Sequence, residues 1–163
     1  MSKGVIINLW FNNNAKEAID FYTSIFKPSK IIKMSYYTNV NEEITGHKEG
    51  DVLTIEFELL KMKFIAINAG PEFKFNPSIS LMVECKSQNE IDYYWNKLSA
   101  NQKAEQCGWL QDKYGLSWQI VPKQLGKMLT KGSNKQKEKV TETFMKMKKL
   151  NIEEIKRAYK ENK

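Results

Sequence analysis

The sequence predicts an α+β fold: two tandem βαβββ modules forming a curved mixed sheet, followed by a C-terminal helical tail. Three observations predict it. Sliding the sequence by 72 residues lays residues 6–11 on 78–83 and residues 19–22 on 91–94, so a single offset matches a strand and a helix together. A second offset, allowing for loops of different length, lays residues 65–71 on 116–122. From Lys123 onward the chain then changes character, with 13 Lys and Arg against 5 Asp and Glu, whereas residues 1–122 carry 13 against 14.

Residues 5–11 alternate around an apolar theme, and the asparagines at 12, 13 and 14 favour a turn and offer a helix N-cap. A strand therefore leads into a helix. Over residues 15–26 Ala15, Ala18, Ile19, Tyr22, Ile25 and Phe26 recur at helical spacing, and Pro28 stops the run. Strands are expected at 31–37, 52–59 and 64–68. A polar loop at 39–50 holds the single histidine, His47, expected at the surface, and residues 60–63 form a short turn. The second module repeats the order: a strand at 78–83, a helix at 88–98, a short strand at 104–107 and a hairpin across 106–122, with turns at Gly108 and at 112–115. Pro122 suits a first helical position and Gly132 a C-terminal cap, which predicts a helix over 122–131. Ser133 with Gln136 is a capping-box pattern before the stripe Val140, Phe144 and Met147. Asn151 with Glu154 repeats the signal for a last helix bearing Ile152, Ile155 and Tyr159. These stripes must bury against the body or a second subunit, and docking on the body is expected. The domain reading is therefore 1–122, with modules at about 5–71 and 78–122, and a helical extension at 123–163.

Side chains alternate along a strand, which sorts them into faces. Ile7, Leu9 and Phe11 share a side, matched by Ile79, Leu81 and Val83, and should lie against the helices. Ile6, Asn8 and Trp10 lie opposite, matched by Ser78, Ser80 and Met82. Leu53, Ile55, Phe57 and Leu59 are expected to face the helices, with Thr54, Glu56 and Glu58 turned away. In the next strand Ile65 and Ile67 are expected inward, with Ala66 and Asn68 away; in the last, Ser117 and Gln119 oppose Leu116, Trp118 and Ile120. The face turned away mixes Trp10 and Met82 with small polar residues, which reads as the wall of a cleft.

With 41% apolar and 12% aromatic residues in 163, the chain can bury a real core. No apolar run approaches the roughly 20 residues of a membrane span, and the start, Met1, Ser2, Lys3 and Gly4, lacks a signal-peptide pattern. The expected compartment is the cytoplasm. Cys85 and Cys107 have no CxxC spacing and read as two buried thiols. The charge of +7 is confined to the tail, which reads as a solvated helical face, so neither nucleic acid nor membrane is an expected partner.

Five stretches carry a resemblance: Leu9-Trp10-Phe11 followed by residues 15–22; residues 52–57; Asn68-Ala69-Gly70-Pro71; Phe73-Lys74-Phe75-Asn76; and above all the run 106–122. On these the chain resembles the PhnB-like group, often labelled 3-demethylubiquinone 3-methyltransferase, of the glyoxalase, bleomycin-resistance and extradiol dioxygenase (vicinal oxygen chelate) superfamily. The resemblance implies a glyoxalase-like fold whose first and last strands in each unit offer metal ligands to a cup. Those four positions hold Ile6, Asn68, Ser78 and Gln119. Ile6 has no donor atom, Ser78 is a poor neutral ligand and neither amide brings a charge, so no resident metal is expected. None of the eight glycines forms a GxG pair and no strand runs through a Gly-rich turn into a helix, so no nucleotide cofactor is expected.

Three functions are compatible with these residues. The first is a binding module that holds a small organic molecule against Trp10 and Met82, oriented by Asn8, Thr54, Asn68, Ser78, Ser80 and Gln119, as the bleomycin-resistance side of the superfamily works by binding alone. The second is an enzyme (an isomerase, a lyase or the labelled methyltransferase) with Glu56 as general base. The third is an interaction protein that recruits an acidic partner through the basic tail. The resemblance also implies a homodimer.

Overall fold

The computed structural model describes residues 4–39 and 42–161; residues 1–3, where the chain start was read, and residues 40–41 of the polar loop lie outside these. The chain divides after Phe75 into two compact units.

The first unit runs β1 (Ile7–Phe11), α1 (Ala15–Ile25), β2 (Ser29–Tyr36), α2 (Glu42–Thr45), β3 (Val52–Leu59) and β4 (Met62–Asn68). Its sheet has the order β1-β4-β3-β2, with β1 parallel to β4 and the other pairs antiparallel. The β3–β4 turn is two residues, Leu60 and Lys61, both left-handed (φ 49° and 72°), the combination whose twist matches a tight hairpin. Ala15, Ala18, Ile19, Tyr22 and Ile25 of α1 are buried, as are Leu9, Phe11, Ile55, Phe57, Leu59, Phe64 and Ala66, and the stacked rings of Phe57 and Phe64 lie 5.2 Å apart. The chain leaves α1 at Phe26, which is extended, two residues ahead of Pro28.

The faces of β1 and β3 match the alternation in the sequence, and β4 reverses it. Phe64, Ala66 and Asn68 are buried on the helix side, while Ile65 and Ile67 lie on the open side. The parallel register decides this, because Leu9 pairs with Ala66 and Phe11 with Asn68, and paired residues share a face.

The second unit runs β5 (Ser80–Cys85), α3 (Gln88–Leu98), a 3-10 turn (Gln102–Ala104), β6 (Trp109–Gln111), β7 (Ser117–Pro122), α4 (Leu125–Lys131), α5 (Asn134–Met145) and α6 (Ile152–Lys160). Its sheet has three strands in the order β5-β7-β6. The strand expected at 104–107 is replaced by the 3-10 turn and one bridge between Gln106 and Trp109, because Cys107 and Gly108 (φ 52° and 85°) turn the chain at once. Tail backbone meets this corner: Cys107 N–H donates to Met147 O and Gly108 N–H to Lys148 O, both at 2.8 Å. A Cβ at Gly108 would lie 3.0 Å from both Ile120 O and Leu150 Cδ1, so the close approach requires glycine.

The tail docks on this unit. Leu125, Val140, Leu150 and Ile155 form a core with Val121, Met128, Phe144, Met147 and Tyr159 packed around it. The Gln88 side-chain amide acts like a strand backbone, donating to Leu150 O (3.1 Å) and accepting from Ile152 N (2.9 Å). Ser133 and Gln136 make the full capping box, and Asn151 Oδ1 accepts from the N–H groups of Glu153 and Glu154. Pro122 is not helical: it ends β7 opposite Cys85, and α4 starts at Leu125. Gly132 does cap α4, at φ −70°, so its small size is what matters there, with Met128 O and Tyr159 Cε2 2.7 and 2.9 Å from where a Cβ would sit.

Candidate functional site

The open face of the first sheet follows from its registers. Trp10, Ile67, Thr54 and Ser35 form one row across β1, β4, β3 and β2; Asn8, Ile65, Glu56 and Lys33 form the next. The Trp10 row grades from apolar at β1 and β4 to polar at β3 and β2; in the other, Ile65 lies between Asn8 and the charged pair Glu56 and Lys33. Trp10 is half-buried, anchored by its indole N–H to Gly70 O (2.9 Å) and by Phe73, whose ring meets it edge-on at 4.9 Å. The Ser35 and Thr54 hydroxyls are 2.5 Å apart. The Asn8 amide donates to Ile6 O at 3.3 Å. Glu56 sits between Ile65 and Lys33, in the row next to that of Trp10.

Asn68, expected on this face, lies beneath it. Its side chain is buried; Oδ1 accepts from Ala15 N–H at the start of α1 and Nδ2 donates to Val52 O, both at 2.9 Å, while the Tyr37 hydroxyl donates to its backbone carbonyl at 2.5 Å. A buried amide needs partners for both ends, and two backbone groups supply them here. His47 likewise is not a surface residue: it is 7% exposed, stacked on Tyr37 with ring centroids 4.5 Å apart, its Nδ1 3.9 Å from Asp51 Oδ2. Burial pushes the Tyr37 phenol up from its ordinary pKa.

The second sheet has an equivalent open face. Met82, Gln119 and Trp109 form one row across β5, β7 and β6; Ser80, Ser117 and Gln111 form the next. Gln119 Nε2 donates to Ser80 Oγ at 2.8 Å, Met82 is exposed, and Trp109 is half-buried. Gln119 thus lies on the open face, as the alternation predicts. Its structural counterpart in the first unit is Ile67, not Asn68: Trp10 pairs with Ile67 as Met82 pairs with Gln119. Ser78 is outside the strand. Its N–H donates to Asn76 Oδ1 (2.9 Å) and its hydroxyl bonds the same oxygen, a local turn ahead of β5. Ile79, expected inward, is 70% exposed for the same reason.

The residues at the four ligand positions do not fit a divalent metal. Ile6 has no donor, Asn68 spends both ends of its amide on backbone, Ser78 is held by Asn76 and Gln119 by Ser80. Among the described residues no three or more His, Cys, Asp or Glu cluster as metal ligands would. Nor do the two strand-to-helix turns fit a nucleotide phosphate. Both lack glycine, Asn68 occupies the start of α1, and at α3 Ser87 Oγ accepts from Glu90 N–H while Glu90 Oε2 accepts from Lys86 N–H. Cys85 is buried, and its thiol is pushed up to about 12 by burial and by Glu90; Cys107, expected buried, is half-exposed.

Ser35, Ile65, Ile67 and Trp109 complete the open faces without having been singled out in the sequence. The signal that could have found the two isoleucines is the parallel β1–β4 pairing itself, which puts Ile67 beside Trp10.

No curated protein matches the chain. The family model described as 3-demethylubiquinone-9 3-methyltransferase matches residues 3–121. Among solved structures, a Bacillus cereus PhnB protein described under the same enzyme name is 34% identical, covering 73% of this chain and 99% of its own, with a TM-score of 0.59. A protein from Staphylococcus aureus is 30% identical, over 72% of this chain and 94% of its own, with a TM-score of 0.31. Protein PA1353 from Pseudomonas aeruginosa is 18% identical, over 74% and 98%, with a TM-score of 0.56, a likeness of fold. This glyoxalase-like chain therefore belongs to the 3-demethylubiquinone-9 3-methyltransferase family, in its PhnB-like group.

Proposed function

We propose that this protein binds a small amphipathic organic molecule on its open sheet faces without a resident metal. The observation that carries the reading is the graded row of the first sheet. Trp10, Ile65 and Ile67 offer an apolar strip, and Thr54, Ser35, Glu56 and Lys33 offer hydroxyls and charges one or two strands away. A ligand with a flat apolar body and one polar end matches that gradient, as small-molecule sites are mainly apolar with a few placed polar groups. The Met82, Gln119 and Trp109 row supports the same chemistry in the second unit. The mismatch of the metal-ligand positions supports a reading in which binding is the function.

The test uses the tryptophans. Trp10 and Trp109 are half-buried on open faces, while Trp95 and Trp118 are buried in the second unit. A panel of aromatic and amphipathic compounds is screened by thermal shift and by fluorescence quenching. A ligand at 100 times its dissociation constant adds about 2.7 kcal/mol to stability. The expected result is a compound that raises the melting temperature and quenches the open-face tryptophans, with both effects reduced at least tenfold in apparent affinity by Trp10→Ala or Met82→Glu. A panel without a single shift, a shift indifferent to both substitutions, or one equivalent of zinc, nickel or iron in the purified protein would overturn the reading.

A further inference from the structure

The tail carries most of the charge excess, and the structure fixes where that charge points. The apolar stripes of α4, α5 and α6 are buried against the second unit, so the cations are held on the outside of a packed layer. Lys139, Lys148, Lys149 and Lys156 pair with Glu142, Glu105, Asp92 and Glu153. Lys127, Lys131, Lys135, Lys146, Arg157 and Lys160 are exposed and close no salt bridge among the described residues, although Glu142 lies in the field of Lys146 and Glu153 in that of Arg157 and Lys160. Glu138, Glu154 and Glu161 subtract from this excess without cancelling it.

Packing gathers part of the set. Gly132 lies against the Tyr159 ring, and Gln136 Nε2 donates to Tyr159 O at 2.9 Å, so the junction of α4 and α5 meets the end of α6. Lys131 and Lys135 flank that junction by one residue on each side, and Lys160 follows Tyr159. Three helices thus bring exposed cations to one corner. A terminal basic segment read from sequence alone is a solvated face; here docked helices hold the cations in place before any partner arrives, which lowers the ordering cost of binding.

The surface around them narrows the partner. Met145 is the one exposed large apolar side chain among the described residues of the tail. A protein interface needs an apolar centre, a membrane-surface helix an apolar face to insert, and single-stranded nucleic acid exposed aromatic rings for its bases. The phosphate backbone of a duplex needs cations alone. We propose that the α4–α5–α6 corner, centred on Lys131, Lys135 and Lys160, is a sequence-independent docking surface for duplex nucleic acid.

The test is fluorescence anisotropy of the full chain with labelled duplexes of about 20 base pairs in two unrelated sequences, titrated from about 50 to about 200 mM salt. Three phosphate contacts give a log–log slope near −3, roughly a 50-fold loss of affinity over that range, with equal affinity for both sequences. The triple variant Lys131→Gln, Lys135→Gln, Lys160→Gln is expected to weaken low-salt binding at least tenfold and flatten the slope toward zero. A control with the same charge loss at paired cations, Lys139→Gln, Lys148→Gln, Lys156→Gln, is expected to keep both; circular dichroism melts establish that each variant folds. Absence of binding at the lowest salt, a salt-independent affinity, or equal losses in the two variants would overturn the proposal. So would tighter binding to phosphatidylserine vesicles or to polyglutamate than to the duplex.

Discussion

Asp112 offers the sharpest test of how the second unit is held together. It is 3% exposed, and its carboxylate accepts from Tyr114 N–H (2.8 Å) and Leu116 N–H (3.1 Å) on Oδ1 and from the Trp118 indole N–H (2.7 Å) on Oδ2. Tyr114 is partly exposed, so water can replace the carboxylate there. Leu116 and Trp118 are each 2% exposed, and Asp112→Ala takes the carboxylate acceptor from both N–H groups. Each such loss costs about 1–3 kcal/mol, so the substitution should cost about 4 kcal/mol, a large share of an ordinary domain's stability. Asp112→Asn keeps an acceptor but loses the charge, and about half that cost is expected. The assay is equilibrium urea unfolding followed by tryptophan fluorescence, because Trp95, Trp109 and Trp118 all report on this unit. In a Trp118→Phe background the cost of Asp112→Ala should fall by about 1.5–3 kcal/mol, the coupling of a charge-assisted hydrogen bond. A loss below about 1 kcal/mol, or no coupling to Trp118, would refute this account of the turn.

Asn68→Ala should cost about 2–3 kcal/mol, since it removes the acceptor at the start of α1 and the side-chain donor to Val52 O; accelerated amide exchange at Ala15 would locate the damage, and unchanged exchange would contradict it. Gly108→Ala should cost at least about 2 kcal/mol, from a left-handed backbone and a Cβ pressed on Ile120 O, and a near-neutral melt would show that the hairpin and tail can part. A thiol reagent at neutral pH should label Cys107 in the native protein and Cys85 only after unfolding. The same burial gives a pH dependence. The native Cys85 thiol keeps its proton to about 12, while the unfolded one releases it near 9, so stability should decline as pH rises through that interval, and Cys85→Ala should remove this component.

Local periodicity carried much of this fold. The residues of α3 and β3 match the sequence reading end for end, because Ile91, Trp95 and Leu98 on one and Ile55, Phe57 and Leu59 on the other mark their buried sides with nothing but spacing. What spacing alone could not supply is pairing. In β4, two β-branched residues looked like the inward pair, yet the register with β1 turns Ala66 and Asn68 toward α1, and the asparagine is satisfied by a backbone N–H 53 residues away in sequence. His47 was misplaced for a similar reason, since its burial depends on Tyr37, on the far side of the loop. The candidate site shows the same division. Trp10, Asn8, Thr54, Glu56, Ser80, Met82 and Gln119 fall on open faces as alternation predicts, whereas Asn68 and Ser78 are drawn away by backbone partners that polarity alone does not reveal.

The Gln88 amide that clasps Leu150 and Ile152 bears on how the chain is born. The first unit possesses all its strands once Asn68 has been made, so it can settle while the ribosome is still working. The second unit has no such early completion: its hairpin, its α3 start and its satellite core all wait for residues 147–155. Until those emerge, the Cys107 and Gly108 N–H groups and the Gln88 side-chain amide lack these tail partners. A nascent chain stalled before Met147 would therefore pair a finished first unit with a half-built second one, the form most exposed to chaperones and proteases.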